Sequence, residues 1–275
     1  MQPIPGCVVH TAIPKEQLIE YIKFNRTQGY REFTSTSWWR NQVPIAIVGG
    51  GPSLIKTWRE LLDYKYVMVV GGVHDFIMEK GLHPNWCIIV DGDPVVNKYL
   101  TRINPNTQYL VASQCSPETF THLKEKGANI NIWHADGDQV GDKIDVFGDG
   151  SRLVGGGCSV GTRAMVAAIG MGFFNQHLFG MDNCLTDDYK HHAYEFVDPD
   201  NETLGTIYEI RAGGPTGPKF KLAEYMVAQY FDFQAILKAF ANCLAITVHG
   251  GGLLAYTMEQ GRLKTDEAVK EQKDG

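Results

Sequence analysis

IAIVGGGPSL, from Ile45 to Leu54, sets four apolar residues against a glycine-rich turn and a segment able to form a helix. A run of four apolar residues reads as a parallel strand buried on both faces. A turn that passes straight into a helix points backbone N–H groups outward as an anion site. The turn is therefore expected to grip a phosphate. Gly49, Gly50 and Gly51 let the backbone approach a ligand closely, Pro52 opens the helix at its first turn, and Ser53 adds a hydroxyl donor. The pattern is neither GxGxxG nor GxxxxGK(S/T), so the identity of the ligand rests on the later strand ends of the chain.

A second apolar run, Cys87 to Val90, ends in Asp91, Gly92, Asp93 and Pro94. Two carboxylates one residue apart at the carboxyl end of a parallel strand suit a hard divalent cation such as magnesium, which also bridges the phosphates of a nucleotide. Taken alone, the same string reads equally as a turn followed by a helix cap.

Outward from these two corners the chain alternates short β-rich runs with helix-like segments. Strands are expected at Ile45–Val48, Tyr66–Val70, Trp86–Val90, Gln108–Ala112 and Ile130–His134, and helices at Ser53–Tyr64, Val73–Glu79, Val95–Arg102 and Pro117–Lys126. That alternation predicts an α/β, Rossmann-like fold: a mostly parallel twisted sheet with helices on both faces. A second glycine-rich turn, GGGCSVG from Gly155 to Gly161, opens an apolar helix, Thr162–Gly170, before a strand at Gln176–Phe179. Its small residues serve either close helix-sheet packing or contact with substrate. The polar, turn-rich stretch from 182 to 217 is expected to be a lid insertion, since long connections in compact domains are commonly functional. Lys219–Phe240 reads as one long helix and Leu244–Val248 as a last strand running into His249 and Gly250–Gly252. Residues 1–43 form a lead-in with a helix at Lys15–Asn25 and an aromatic stretch at Trp38 and Trp39, residues 44–258 the nucleotide-binding domain, and residues 259–275 a charged tail.

Composition narrows the classes. The 275 residues are 44% hydrophobic and 20% charged, the make-up of an ordinary globular chain. A net charge of −6 argues against a surface that attracts nucleic acid as a whole. The six cysteines are scattered without a CxxC pair, as in a reduced cytoplasmic protein, so neither a disulfide framework nor a structural metal is expected. No apolar run of membrane-spanning length and no signal-peptide order is present, so a cytoplasmic location without membrane contact is expected.

In order and spacing, VGGGPSL, VDGDP, GGGCSVG with its helix, and GMDN at Gly180–Asn183 resemble the MptE-like 6-hydroxymethylpterin pyrophosphokinase domain, shared with motility accessory factor (Maf-type) glycosyltransferases. A more distant likeness is to bacterial sialyltransferases. The resemblance spans residues 44 to 255. It implies that Gly49, Gly51, Pro52 and Ser53 line a donor nucleotide together with the turns at Asp91 and at Gly156, Gly157 and Ser159. It also implies that Asp182 stands at the same sheet edge, and that His191 and His192 lie in a loop that carries a histidine. Gly92 and Pro94 depart from the pyrophosphokinase pattern, which weakens the case for that activity.

Glycosyl transfer requires a stabilised leaving phosphate and a base for the acceptor hydroxyl. Helix N-termini, aided by a cation at Asp91 and Asp93, supply the first, and His191 or His192 the second. The rule that open α/β sheets bind ligands beyond the carboxyl ends of their strands brings His134 to the same rim. Asp136, Asp138, Asp142, Asp145 and Asp149 read as a solvated loop or a cation site. Arg163 reads as a phosphate partner or a surface ion pair, His249 as an exposed cap or a substrate contact, and Lys219 and Lys221 as the start of a helix. The favoured function is a transferase moving a sugar from a nucleotide donor to an acceptor hydroxyl on a protein, glycan or hydroxymethylated nucleobase. A magnesium-dependent pyrophosphokinase using ATP and a non-catalytic nucleotide-binding protein are the alternatives.

Overall fold

The computed structural model describes residues 13–33, 43–137, 146–147, 151–195 and 204–261. The readings placed on Trp38, Trp39, Asp138, Asp142, Asp145 and Asp149, and on the tail beyond 261, lie outside the described residues. Strands β1 (Arg31–Glu32), β2 (Ile45–Val48), β3 (Tyr66–Val70), β4 (Trp86–Ile89), β5 (Gln108–Ala112), β6 (Asn129–Ala135), β7 (Leu153–Val154), β8 (Asn175–Phe179) and β11 (Ala245–Val248) build one sheet. Their order is β1-β6-β5-β4-β3-β2-β8-β11, with β7 beside the end of β6, and every pair is parallel. The apolar runs explain the centre of this order. All four residues of β2 are fully buried, as a strand covered on both faces requires.

From β2 the chain steps outward through β3, β4, β5 and β6, then returns to lay β8 on the other side of β2. The reversal creates a crevice beyond the ends of β2 and β8, the place where open α/β sheets take ligands. Helix α5 (Val160–Gly170) covers β2, β3 and β4, and buried Ala164, Ala167 and Ala168 let it lie close. Helix α4 (Pro117–Glu125), capped by the Ser116 hydroxyl, packs on β6 and on α1 (Lys15–Arg26).

Three expected helices differ from the chain's actual form. Ser53–Tyr64 is divided into a four-residue α2 (Leu54–Thr57) and a 3-10 segment, Trp58–Asp63, and Val95–Arg102 is a 3-10 turn at Pro94–Tyr99. A 3-10 segment rises about 2.0 Å per residue against 1.5 Å in an α-helix, so a short crossover can still return to the start of the next strand. Lys219–Phe240 is not one helix: Lys219–Ala223 is β10, and α6 begins at Glu224 and runs to Ala239. KFKLA alternates, and β10 pairs antiparallel with β9 (Ile207–Arg211) inside the stretch expected to be a lid. Lys219 and Lys221 therefore lie on a hairpin. Helix α3 (His74–Glu79) stands near its expected place, and residues 252–261 are helical.

Candidate functional site

A cavity of about 1120 Å³ opens across the carboxyl ends of the strands. Its wall includes Gly49, Gly50 and Gly51 after β2, Asp91 and Asp93 after β4, Gly156, Gly157 and Ser159 before α5, Asp182 after β8, and His191 and His192. Pro52 and Ser53 stand just behind it.

The first glycine turn is closed by the protein itself. Gly49 N–H donates to Phe179 O at 2.8 Å and Gly51 N–H to Gly180 O at 2.7 Å. Ser53 donates its N–H to Asp182 Oδ1 at 3.2 Å and its hydroxyl to Asp182 Oδ2 at 3.0 Å. Three of the turn's amides thus already have acceptors, and the four-residue α2 behind them carries little aligned dipole. A carboxylate stands where the sequence places a phosphate. Burial pushes Asp182 up to about 6, against the two hydrogen bonds from Ser53 that lower it.

The second glycine turn is held in the same way. Cys158 N–H donates to Asp232 Oδ2 at 2.7 Å, reaching from α6. Gly157 sits at φ +82° with that carboxylate against its α-carbon, and a Cβ there would lie 1.9 Å from Asp232 Cγ. Burial and Asp232 raise the Cys158 thiol to about 12, so it is no nucleophile at neutral pH. Ser159 caps α5, its hydroxyl accepting from Thr162 N–H at 3.1 Å. Arg163 is buried and donates to the carbonyls of Val154 and Asp136, each at 2.8 Å. It is therefore a clamp between β7 and the end of β6.

Asp91 and Asp93 form the turn-and-cap arrangement that is the simpler reading of their string. Asp91 Oδ1 accepts from Asp93 N–H at 3.0 Å, and Asp93 Oδ1 accepts from Val95 N–H at 2.8 Å, capping the 3-10 turn. Crowding by protein at the cavity mouth raises the Asp91 pKa, the Asp93 N–H opposes this, and the charge of Asp93 adds to it. Each carboxylate has one oxygen in this turn, which leaves one for a cation. Among the described residues no group of three or more His, Cys, Asp or Glu gathers to hold a metal. The pair fits a magnesium ion only if substrate phosphates and water complete its six ligands, the usual arrangement for that ion.

His191 and His192 face each other with ring centroids 3.9 Å apart, and His192 stacks on Tyr194 at 4.9 Å. Ala193 N–H donates to Gly50 O at 2.8 Å, which ties the loop to the first glycine turn. Burial, helped by His191, drives His192 down to about 4, while a hydrogen bond with the Gly50 backbone works the other way. His192 is neutral at pH 7. Tyr194 extends the aromatic wall to Tyr99 and Phe76.

His134, expected at the rim, and His249, read as an exposed cap or a substrate contact, both lie outside the cavity wall. His134 is buried in β6, bonded to Ser113 Oγ at 2.9 Å and to Glu32 Oε1 at 2.8 Å. It is not among the residues that line the cavity. His249 meets Glu60, Tyr64 and His177 behind the first glycine turn. Asp232 and Tyr194 were not singled out in the sequence. A carboxylate between Phe231 and Phe233 is the sequence signal for the first, and Tyr194 carries none beyond its place beside the histidine pair.

A doubly wound parallel sheet with glycine turns and a cavity at its switch point defines a Rossmann-like α/β protein. Within that class the chain belongs to the MptE-like family, described as 6-hydroxymethylpterin diphosphokinase MptE-like, whose sequence model matches residues 16–188. No curated protein matches it in sequence. Among solved structures it is similar to the Maf glycosyltransferase from Magnetospirillum magneticum AMB-1, with a TM-score of 0.65 and 13% identity over 89% of this chain and 38% of that one. The chain thus spans well under half the length of that protein. It also matches a mammalian sialyltransferase, with a TM-score of 0.45 and 11% identity over 89% of this chain and 81% of that one.

Proposed function

We propose that the cavity is the active site of a transferase that takes a glycosyl group from a nucleotide-linked donor to an acceptor hydroxyl. The observation that carries this reading is the meeting of Asp182, His192 and two glycine turns in one wall at the switch point of the sheet. A base works best when its pKa lies near the working pH. Asp182, at about 6, is better matched than His192, at about 4. Asp182 takes the acceptor proton, and neutral His192 accepts a hydrogen bond that orients the acceptor or the donor ribose. The fold shared with the Maf glycosyltransferase supports the reading.

A pyrophosphokinase reading is favoured by the family description and by the Asp91 and Asp93 pair. In it these two residues would hold a magnesium ion, which would neutralise charge on the transferred phosphates. Thermal shift against ATP, CMP, UDP and GDP and their sugar conjugates separates the two readings. A ligand at ~100 times its Kd adds ~2.7 kcal/mol of stability. Stabilisation by a sugar nucleotide, and slow hydrolysis of that donor lost in Asp182→Asn, is the expected result. Stabilisation by ATP with magnesium alone, with diphosphate transfer to a pterin alcohol, would replace the glycosyltransferase reading.

A further inference from the structure

Outside the cavity, four titratable side chains meet behind the first glycine turn. Glu60 Oε2 lies 2.8 Å from His249 Nδ1, His249 Nε2 lies 2.9 Å from His177 Nδ1, and Tyr64 Oη lies 2.8 Å from His177 Nδ1 and 3.4 Å from His249 Nε2. The two imidazole centroids are 5.2 Å apart, which is what the N···N gap and the two ring radii add to when the nitrogens face each other head-on. That alignment fits one shared proton and leaves no room for an ion between the rings. Phe179 stacks on His249 at 4.1 Å from the other side.

The cluster joins three elements. Glu60 lies in the 3-10 crossover and Tyr64 caps its end, His177 is in β8, and His249 follows β11, an edge strand paired only with β8 among the described residues. After His249 the chain turns through Gly250, which lies against Ser53, and Leu253 N–H donates to Asp182 O at 2.8 Å. Whatever holds His249 therefore also holds the turn that supports Asp182 from behind.

We propose that Glu60, Tyr64, His177 and His249 form a proton-operated latch that pins β11 and the 250–253 turn while at most one of the two imidazoles is charged, and releases them when both are. In the neutral form His249 donates Nδ1–H to Glu60 and accepts His177 Nδ1–H on its bare Nε2. A first proton is accommodated by reversing the bond: His249, now an imidazolium beside the Glu60 carboxylate, donates Nε2–H to a bare His177 Nδ1. A second proton leaves two N–H groups facing each other, with the Tyr64 hydroxyl oxygen beside them as their shared acceptor, and two positive charges side by side. Of the charged and titratable groups around the rings, Glu60 and Asp63 are acidic and Tyr64 is kept protonated by burial and by those two carboxylates. Burial, and then the charge of His249, lower the pKa of His177. The latch is closed above the ordinary histidine range and opens as pH falls through the lowered His177 value.

Hydrogen exchange of amides 245–253 tests this on the whole chain, with the chemical exchange rate divided out. Wild type should lose about tenfold or more protection between about pH 7.5 and about pH 5, with amides of α4 unchanged, because edge elements open locally before the core does. His177→Asn keeps a donor beside His249 but cannot take a proton, and should lose that pH dependence. Flat protection in wild type, or an undiminished pH response in the variant, overturns the latch. Nitrogen-15 shifts of the imidazole rings in wild type supply a readout independent of any substitution: two separated steps support the latch, and two coincident ones refute it.

Discussion

A methyl group at Gly51 would stand 2.0 Å from Asp182 Oδ2 and 2.8 Å from Gly180 O, so the smallest substitution there must displace either the carboxylate or the backbone of the β8 turn. Overpacking of this kind costs about 1–3 kcal/mol. Gly51→Ala should therefore lower the denaturant midpoint and also free Ser53 from Asp182, whereas alanine at Gly81, which has nothing within 4 Å, should suffer only from its φ of +78°. Asp182 itself gives a prediction whose sign is fixed by linkage. Its folded pKa of about 6 lies above the ordinary aspartate value of 3.8, so between these values the folded chain holds a proton that the unfolded chain has released. Stability is then fullest below the unfolded value and falls as pH rises to about 6, by roughly 2–3 kcal/mol at most. Asp182→Asn keeps the shape and removes the titration. The variant should melt higher than wild type at pH 7, match it near pH 4, and lose transfer activity. A parallel pH dependence of melting in the two proteins would assign the slope to other groups.

At the scale of elements, the second glycine turn depends on α6 for its shape. Asp232 is the acceptor for Cys158 N–H, and hydrogen bonds to charged groups contribute about 1.5–3 kcal/mol. Asp232→Ala should destabilise the chain by an amount in that range and weaken nucleotide binding, while Asp232→Asn, which still accepts through its amide oxygen, should recover most of both. Denaturant unfolding and calorimetric titration measure the two effects. Asp232 also marks where sequence reading stops. The strands were legible because burial on both faces leaves an unbroken apolar run: β2, β3 and β5 fall on the residues expected of them. Periodicity reports which face of an element is buried, and it does not report where the element's side chains reach. The contacts of Asp232 and Asp182 join residues 74 and 129 positions apart, respectively, and no local pattern encodes them. Lys219–Ala223 failed for a related reason. Its five residues fit a helical continuation of α6 as well as a strand, and only the partner strand β9, some ten residues upstream, decides between the two.

Across the whole molecule, the sheet's reversal at β2 gathers more negative than positive charge into the cavity. Asp91, Asp93, Asp136, Asp182 and Asp232 line it, and among the described residues Arg163 is the only lysine or arginine that does. Arg163 has two guanidinium nitrogens on backbone carbonyls, so its hydrogen-bonding fork is largely taken before a phosphate arrives. Three amides of the first glycine turn, those of Gly49, Gly51 and Ser53, are similarly engaged. A diphosphate entering this space meets like charge, and repulsion between close groups in a partly desolvated site is far stronger than in bulk water. Neutralisation has to arrive with the ligand, and the free oxygens of Asp91 and Asp93 are where a cation shared with the phosphates would rest. Calorimetric titration of CDP and ATP with magnesium and with a chelator measures this directly. Affinity should fall about tenfold or more on chelation, roughly 1.4 kcal/mol or more. Asp91→Asn with Asp93→Asn should abolish the difference, because with two carboxylates gone the phosphate meets less repulsion and the cation loses its seat. Equal affinity in magnesium and chelator for the wild-type chain would mean that the glycine turns exchange their own carboxylates for phosphate on binding. In that case Asp182→Asn and Asp232→Asn, and not the Asp91 and Asp93 pair, should set the affinity.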